Sequence, residues 1–410
     1  MERREFLTAA GGAVMVGRFG GIAPGRRSRA SGRALVPQGQ TPALGPEVFA
    51  RRLDRLRAEM NTQKLDLFIV EPSTNYAYFT GSNPGRSERL IALLVPLKGE
   101  AVIVCPSFEV ERVKRGTTIS DVRGWEEDQD PWKLVKAVLQ AAKPPRHRGE
   151  LIIEPSFDYG AYLRLADVAG GDWHLRSSVA VTDRLRMIKY PEEIAQIRRA
   201  IEITQDSMAA TFAALAVGAT EQEVATHLAQ EMASRGSSGG GLVQFGPSSA
   251  LPHGGPGGSK LEKESVVLID CGCLVSGYTS DITRTHWYGD APSDEFKKVF
   301  NLVHDAQTAA MQLGKPFTVT CEQMDAAARG AIVTGGYGQY FTHRLGHGMG
   351  MDGHEAPYLV HGNDTRLEPG MVFTIEPGIY QPGKFGVRIE DDCRVTDDGL
   401  EVLSTRATKL

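Results

Sequence analysis

The chain has 410 residues, with 46 Lys+Arg against 50 Asp+Glu, a formal net charge of −4, 41% hydrophobic and 23% charged residues. That length allows two or three domains and a large core, and the composition excludes collagen-like, disulfide-scaffold and disordered classes. No apolar run of about 18 residues exists, which excludes a spanning helix, and the near-neutral balance argues against a nucleic-acid binder.

The charge is unevenly spread. Residues 1–40 hold seven Arg and two Glu, a net of +5, and the remaining 39 basic and 48 acidic residues leave −9. Arg3-Arg4 followed by Glu5-Phe6-Leu7 and a mild Ala/Gly-rich apolar run to Gly17 resembles a twin-arginine export signal. Arg18 interrupts that run, Ser28-Arg29-Ala30 is a weak cleavage site, and a disordered basic tail is the competing reading. Residues 1–44 are therefore expected to be an export leader and linker. The protein is then periplasmic or otherwise extracytoplasmic, and cytoplasmic if the leader does not function. Five scattered cysteines (Cys105, Cys271, Cys273, Cys321, Cys393) match no zinc spacing and imply no disulfide framework.

Phe49, Leu53, Leu56 and Met60 recur at helical spacing. Asp66 to Val70 reads as a buried strand, and 89–96 and 100–105 as two more around a Lys98-Gly99 turn. Helical patterns at 107–115, 131–143 and 157–168 and a strand at 151–153 complete an α/β domain over 45–184. Pro191-Glu192-Glu193 starts a helix whose stripe runs Ile194, Ile197, Ile201, Met208, Phe212 and Leu215. Thr220 and Glu223 form a capping box for the next helix, which Gly236 ends. Strands follow at 265–270 and 278–288 around a Ser276-Gly277 turn. Ser293 to Gly314 reads as a helix, and Thr320 and Gln323 cap another. Strands return at 371–376, 386–395 and 400–404, so 185–410 reads as an α+β domain.

Several motifs fail on context. Gly348-x-Gly350-x-x-Gly353 opens no βα unit, the Gly-rich 254–258 stretch lacks the Gly-Lys of a phosphate loop, and His354-Glu355 has no second His four residues on. No Gly-x-Ser-x-Gly elbow occurs.

Acids occupy unexpected places. Asp270, Glu376 and Glu390 each follow an apolar run, and Asp281 lies on a strand-like stretch. Buried acids are rare unless paired or metal-bound. Four carboxylates in one place would repel one another and raise their pKa values. Two divalent cations would cancel the charge. His343, His347 and His354 fall within twelve residues of Gly-rich chain. One His with four carboxylates is an oxygen-rich set that suits Mn²⁺, with Co²⁺ or Zn²⁺ as alternatives. Two metals sharing carboxylates can hold a hydroxide nucleophile between them.

These residues carry a resemblance. Ile269-Asp-Cys-Gly272, Gly277-Tyr-Thr-Ser-Asp-Ile-Thr-Arg-Thr285, Gly346-His-Gly-Met-Gly350, Gly353-His-Glu-Ala-Pro357, Thr374-Ile-Glu-Pro-Gly-Ile-Tyr380 and Gly386-Val-Arg-Ile-Glu-Asp-Asp392 resemble the pita-bread metallopeptidases, in family order and spacing. The match spans about 190 to 405. Asn75-Tyr-Ala-Tyr-Phe-Thr-Gly81 resembles the amino-terminal domain of aminopeptidase P and prolidase, which favours the proline-specific branch. The resemblance implies that Asp270 chelates one metal, that Asp281 and Glu390 bridge both, and that His347 and Glu376 complete the other. It implies that Glu376 shuttles the proton, that His253 and His354 steady the tetrahedral intermediate and contact substrate, and that His343 and Arg388 line the proline side. Arg388 has a plainer alternative, pairing with Asp391 or Asp392.

The implied activity is dinuclear hydrolysis of an Xaa-Pro bond by a bridging hydroxide, in dipeptides or at peptide N-termini, with a lean to the broader type. A non-peptide hydrolase or lyase (an organophosphate substrate, for example) and a metal-free binding module remain alternatives. The expected partners are a proline-containing peptide and a second copy of the chain in a homodimer, with no nucleic acid and no membrane span.

Overall fold

The computed structural model describes residues 44–145, 148–255 and 257–410. The leader read over 1–44 lies outside the described residues, apart from Leu44. No helix among the described residues is long and apolar enough to cross a membrane.

Helix α1 (Pro46–Gln63) starts on its proline and buries Leu53, Leu56 and Met60. Strand β1 (Leu67–Val70) is buried along its whole length. Ser73 caps α2 (Thr74–Thr80) by accepting from the Tyr76 N–H. There follow β2 (Ala92–Pro96), β3 (Val102–Pro106), α3 (Val110–Arg115), β4 (Asp121–Trp125), α4 (Trp132–Ala142), β5 (Gly149–Ile153), α5 (Tyr159–Ala169), β6 (Trp173–Ser177) and α6 (Val179–Met187). The six strands form one mixed sheet in the order β4-β3-β2-β1-β5-β6. Both faces are covered, which explains the unbroken apolar run of β1. Phe68 and Val70 pack with Leu56, Met60 and Tyr76 on one side, and Leu67 and Ile69 with Trp125 and Trp132 on the other. The 184/185 division read from sequence falls inside α6.

The second part is the expected α+β domain. Helices α7 (Pro191–Ala213) and α8 (Glu221–Ser234) cover a sheet of β7 (Ser238–Phe245), β8 (Ser265–Val275), β9 (Tyr278–Thr279) and β10 (Ile282–Tyr288). Helices α9 (Asp294–Leu313) and α10 (Cys321–Thr334) cover a second, five-stranded sheet. Its strands are β11 (Gly346–Gly348), β12 (Glu355–Leu359), β13 (Val372–Ile375), β16 (Asp391–Val395) and β17 (Leu400–Val402), and β14 (Gly378–Gln381) pairs with β15 (Phe385–Arg388) beside it. The two halves repeat a detail. Leu261 exchanges backbone hydrogen bonds with Gly218 and Ala219, and Leu367 does the same with Phe317 and Val319. Each exchange leads into a capping box, at Thr220/Glu223 and Thr320/Gln323.

Three expected strands are interrupted, each at an acid. The single strand read over 278–288 lapses at Ser280 and Asp281, between β9 and β10. The one over 386–395 divides into β15 and β16, and Glu390 stands in the gap. β13 ends at Ile375, one residue before Glu376. Asp270 differs: β8 continues past it to Val275, so it lies mid-strand and not at a strand end. The Ser276-Gly277 turn has φ of 50° and 82°, which suits a two-residue hairpin. All five cysteines are free and buried.

Buried ions join the two domains. Arg52 donates to Glu193 Oε1 at 2.8 Å and to the Tyr78 carbonyl at 2.8 Å, and also contacts the Tyr278 hydroxyl. Lys189 Nζ lies 2.7 Å from Glu355 Oε1, and Arg186 pairs with Glu355 and with Asp352.

Candidate metal centre

The interruptions above aim side chains into one cavity of about 490 Å³. Its walls include Asp270, Asp281, His347, Glu376 and Glu390, with His253, His343, His354 and Arg388 around them. Every site residue expected from the sequence therefore reaches this one place.

Local chemistry fixes the donors. Asp281 donates its N–H to Asp392 Oδ2 at 3.1 Å, which turns its carboxylate inward. Thr283 Oγ1 donates to Glu390 Oε2 at 2.6 Å. The Glu376 N–H donates to the Leu345 carbonyl at 2.8 Å. His347 Nδ1 lies 3.2 Å from the Gly348 carbonyl, which can only accept, so the ring proton belongs on Nδ1. Nε2 is then the free lone pair, and it faces Glu376 Oε1 at 3.4 Å and Asp281 Oδ2 at 3.8 Å. Glycine is required behind β8: a Cβ on Gly272 would stand 1.9 Å from the Ser280 carbonyl oxygen.

Three groups of donor atoms lie mutually within 4.8 Å: Asp270, Asp281 and Glu390; His347, Glu376 and Glu390; and Asp281, His347 and His354. Glu390, Asp281 and His347 each belong to two groups. The protein alone balances these acids poorly. Burial and then Asp270 push Asp281 well up from its ordinary pKa, and burial and then Asp281 do the same to Glu390. Burial pushes Glu376 up to about 8, with Arg388 opposing and Asp270 reinforcing. Burial pushes His347 down to about 3, which keeps it a neutral ligand. One Oδ atom of buried Asp392 has no partner. Oxygen-rich donors with one or two imidazoles, crowded to the point of repulsion, fit hard or borderline divalent cations.

Arg388 does not pair with Asp391 or Asp392. Its Nη2 donates to Asp270 Oδ2 at 2.6 Å, its Nη1 to Tyr380 Oη at 2.7 Å and the Pro252 carbonyl at 3.3 Å, and its Nε to Thr283 Oγ1 at 3.1 Å. Asp391 is held instead by Arg284 at 2.6 Å. His343 donates from Nδ1 to the Arg344 carbonyl at 2.7 Å and accepts at Nε2 from Tyr380 Oη at 2.8 Å. His343 and Arg388 are thus a fixed wall joined through Tyr380. The His354 ring centre lies 3.7 Å from that of His347, the two planes tilted by 32°, and His354 accepts at Nδ1 from Arg344 Nη2 at 3.1 Å. The guanidinium can only donate, so a neutral His354 carries its proton on Nε2. His253 is exposed at the rim. Sequence reasoning passed over Arg344, Tyr380 and Thr283. Tyr380 and Thr283 lay within quoted motifs, and Arg344 lay beside His343.

Known proteins resemble this chain over most of its length. The profile of metallopeptidase family M24 matches residues 195–397, and that of the creatinase/prolidase N-terminal domain matches 52–188. An uncharacterized peptidase of Staphylococcus aureus is 37% identical over 357 residues, covering 86% of this chain and 98% of that protein. The crystal structure of a prolidase from Thermococcus sibiricus superposes with a TM-score of 0.80 at 34% identity, over 88% of this chain and 98% of that one. Dipeptidase PepE from Mycobacterium ulcerans gives 0.82 at 34% identity, over 90% and 99%.

Proposed function

Because this chain belongs to metallopeptidase family M24, with a creatinase/prolidase-type domain ahead of it, we propose that it is a dinuclear exopeptidase that hydrolyses Xaa-Pro bonds. The overlap of the Asp270–Asp281–Glu390 group with the His347–Glu376–Glu390 group at Glu390 carries this reading, because a shared carboxylate is what a pair of ions requires. Asp270 would hold one ion, His347 and Glu376 the other, and Asp281 and Glu390 both, with Mn²⁺ the best match to the donors. When bound, the ions neutralise the acids, polarise the scissile carbonyl and make water acidic enough to act as a nucleophile at neutral pH.

The protein's own groups do the rest. Glu376, one of the acids that would hold the second ion, takes a proton from the attacking water and delivers it to the leaving nitrogen. His354, protonated at Nε2 and fixed by Arg344, donates toward the oxygen on which charge develops, and His253 supports it from the rim. The Arg388–Tyr380–His343 wall is rigid and has few free donors, which suits a proline ring whose nitrogen has no N–H to satisfy.

The test is hydrolysis of Ala-Pro and Ala-Pro-Gly by Mn²⁺-loaded protein, with metal content measured alongside. Failure to cut either peptide, despite bound metal, would leave the non-peptide hydrolase. Failure to retain metal would leave the binding module. Export by the twin-arginine route is a separate proposal: Arg3→Lys with Arg4→Lys should hold a periplasmic reporter fusion in the cytoplasm.

A further inference from the structure

The two glutamates of the candidate centre share an anchor that lies outside the cavity. Each is preceded by a buried residue, Ile375 before Glu376 and Ile389 before Glu390. The peptide group that joins each pair is planar, so a hydrogen bond at both ends fixes its orientation. Backbone oxygens hold the N–H ends: Glu376 donates to the Leu345 carbonyl at 2.8 Å, and Glu390 to the Thr283 carbonyl at 3.1 Å. Leu345 is two residues from His347, and Thr283 is two residues from Asp281. The first bond therefore ties Glu376 to the His347 segment, and the second ties Glu390 to the Asp281 segment.

The carbonyl ends have a partner in common. Gln307, fully buried on α9, donates from Nε2 to the Ile375 carbonyl at 3.1 Å and to the Ile389 carbonyl at 3.2 Å. A contact to Asp391 Oδ2 at 2.9 Å shares the same two N–H groups. The amide has one sense only. Its Oε1 faces Arg406 Nη2 at 3.3 Å, and a guanidinium can only donate. The strand breaks explain why such a donor is needed. Ile375 ends β13 and Ile389 stands between β15 and β16, where the ladder runs out and buried carbonyls must be satisfied from elsewhere. Among the described residues α9 contributes nothing to the cavity wall, so Gln307 acts through the backbone that it holds.

We propose that Gln307 is a positioning residue for the metal centre: with one amide it sets the spacing of Glu376 and Glu390, and so joins the His347–Glu376 side of the centre to the Asp281–Glu390 side. This rests on the two-ion reading above. The His347–Glu376–Glu390 group depends on the amide more than the Asp270–Asp281–Glu390 group does, because it contains both glutamates.

The experiment measures Mn²⁺ binding by equilibrium dialysis with elemental analysis, and urea unfolding of chelator-treated protein, on full-length wild type, Gln307→Met, Gln307→Asn and Val303→Ala. Gln307→Met keeps the length of the side chain and removes the donor, and Gln307→Asn keeps a buried amide that is one methylene too short to span both carbonyls. Val303 is an apolar residue buried one turn earlier on α9, and its truncation lowers stability without removing a hydrogen bond. Wild type should bind two ions per chain. Both Gln307 variants should loosen one ion by about 10- to 100-fold, and the other less. Val303→Ala should lower the urea midpoint and leave both affinities unchanged. Two ions held as tightly by the Gln307 variants as by wild type overturn the proposal. An equal loosening in Val303→Ala also overturns it, because the effect would then follow general stability. If Gln307→Met does not fold, Gln307→Asn decides alone. Fewer than two ions on wild type would instead defeat the two-ion reading, and the affinity of the bound ion, weakened or unchanged in Gln307→Asn, would still decide the role of Gln307.

Discussion

Glu376→Gln should make the metal-free protein more stable at neutral pH while removing its activity. In the metal-free fold Glu376 is pushed up to about 8 from an ordinary 4.5, chiefly by burial. A carboxyl raised in the folded state contributes its full stability below the unfolded value and loses it as pH rises toward the folded one. Glu376 alone should therefore remove about 3–4 kcal/mol from the metal-free fold between pH 5 and pH 8. Asp281 and Glu390 are raised too, and add to the loss with the same sign. Glutamine at 376 has no proton to lose and also relieves the repulsion that both of those acids feel from Glu376. The assay is urea denaturation of chelator-treated wild type and variant at pH 5, 6, 7 and 8. The wild-type midpoint should fall steadily over that range and the variant midpoint should fall less. Saturating Mn²⁺ should flatten the wild-type curve and release protons at pH 7. Parallel curves for the two proteins, or metal binding at pH 7 without proton release, would refute the claim that these acids are crowded into holding protons.

Asp281→Ala or Glu390→Ala should abolish tight metal retention and turnover together, measured by elemental analysis and Ala-Pro cleavage, because each residue serves two donor groups. Thr283→Val removes the hydroxyl that donates to Glu390 and accepts from Arg388. It should weaken Mn²⁺ affinity by about 10- to 100-fold in a competition titration, the usual cost of losing a partner that orients a ligand. Gly386→Ala would place a Cβ 2.0 Å from the Ser249 carbonyl oxygen, and should lower the thermal midpoint clearly.

The elements that sequence made plain are those with a local cause. Pro191, the Thr220/Glu223 box and the Thr320/Gln323 box mark helix starts because capping is settled within four residues. Strand β7 carries no such mark: Ser-Gly-Gly-Gly has little strand propensity, and it pairs because small residues let β8 approach closely. The three-residue β11 is too short for any periodicity to register. The acids of the candidate metal centre were legible because a carboxylate beside an apolar run is locally unusual. The environment of Arg388 was not. Asp391 and Asp392 are three and four residues away in sequence, yet the strand break at Glu390 sends them to another sheet, and the partner comes from β8, 118 residues earlier. Arg344 is a similar case, since only the assembled cavity shows that it reaches His354, ten residues on.

The buried ions between the two domains bear on how far this molecule is modular. Cutting the chain near residue 188 would free Glu193 from Arg52, leaving it enclosed without its counter-charge, and would leave Glu355 with Lys189 but without Arg186. Stranding one member of a buried pair costs about 3–5 kcal/mol. Glu355 also follows His354 directly, so the disturbance would fall beside the chemistry. The amino-terminal domain is thus a stabilising half of the enzyme and not a detachable accessory, and domain-swapped chimeras should keep Arg52, Arg186 and their acids as matched sets.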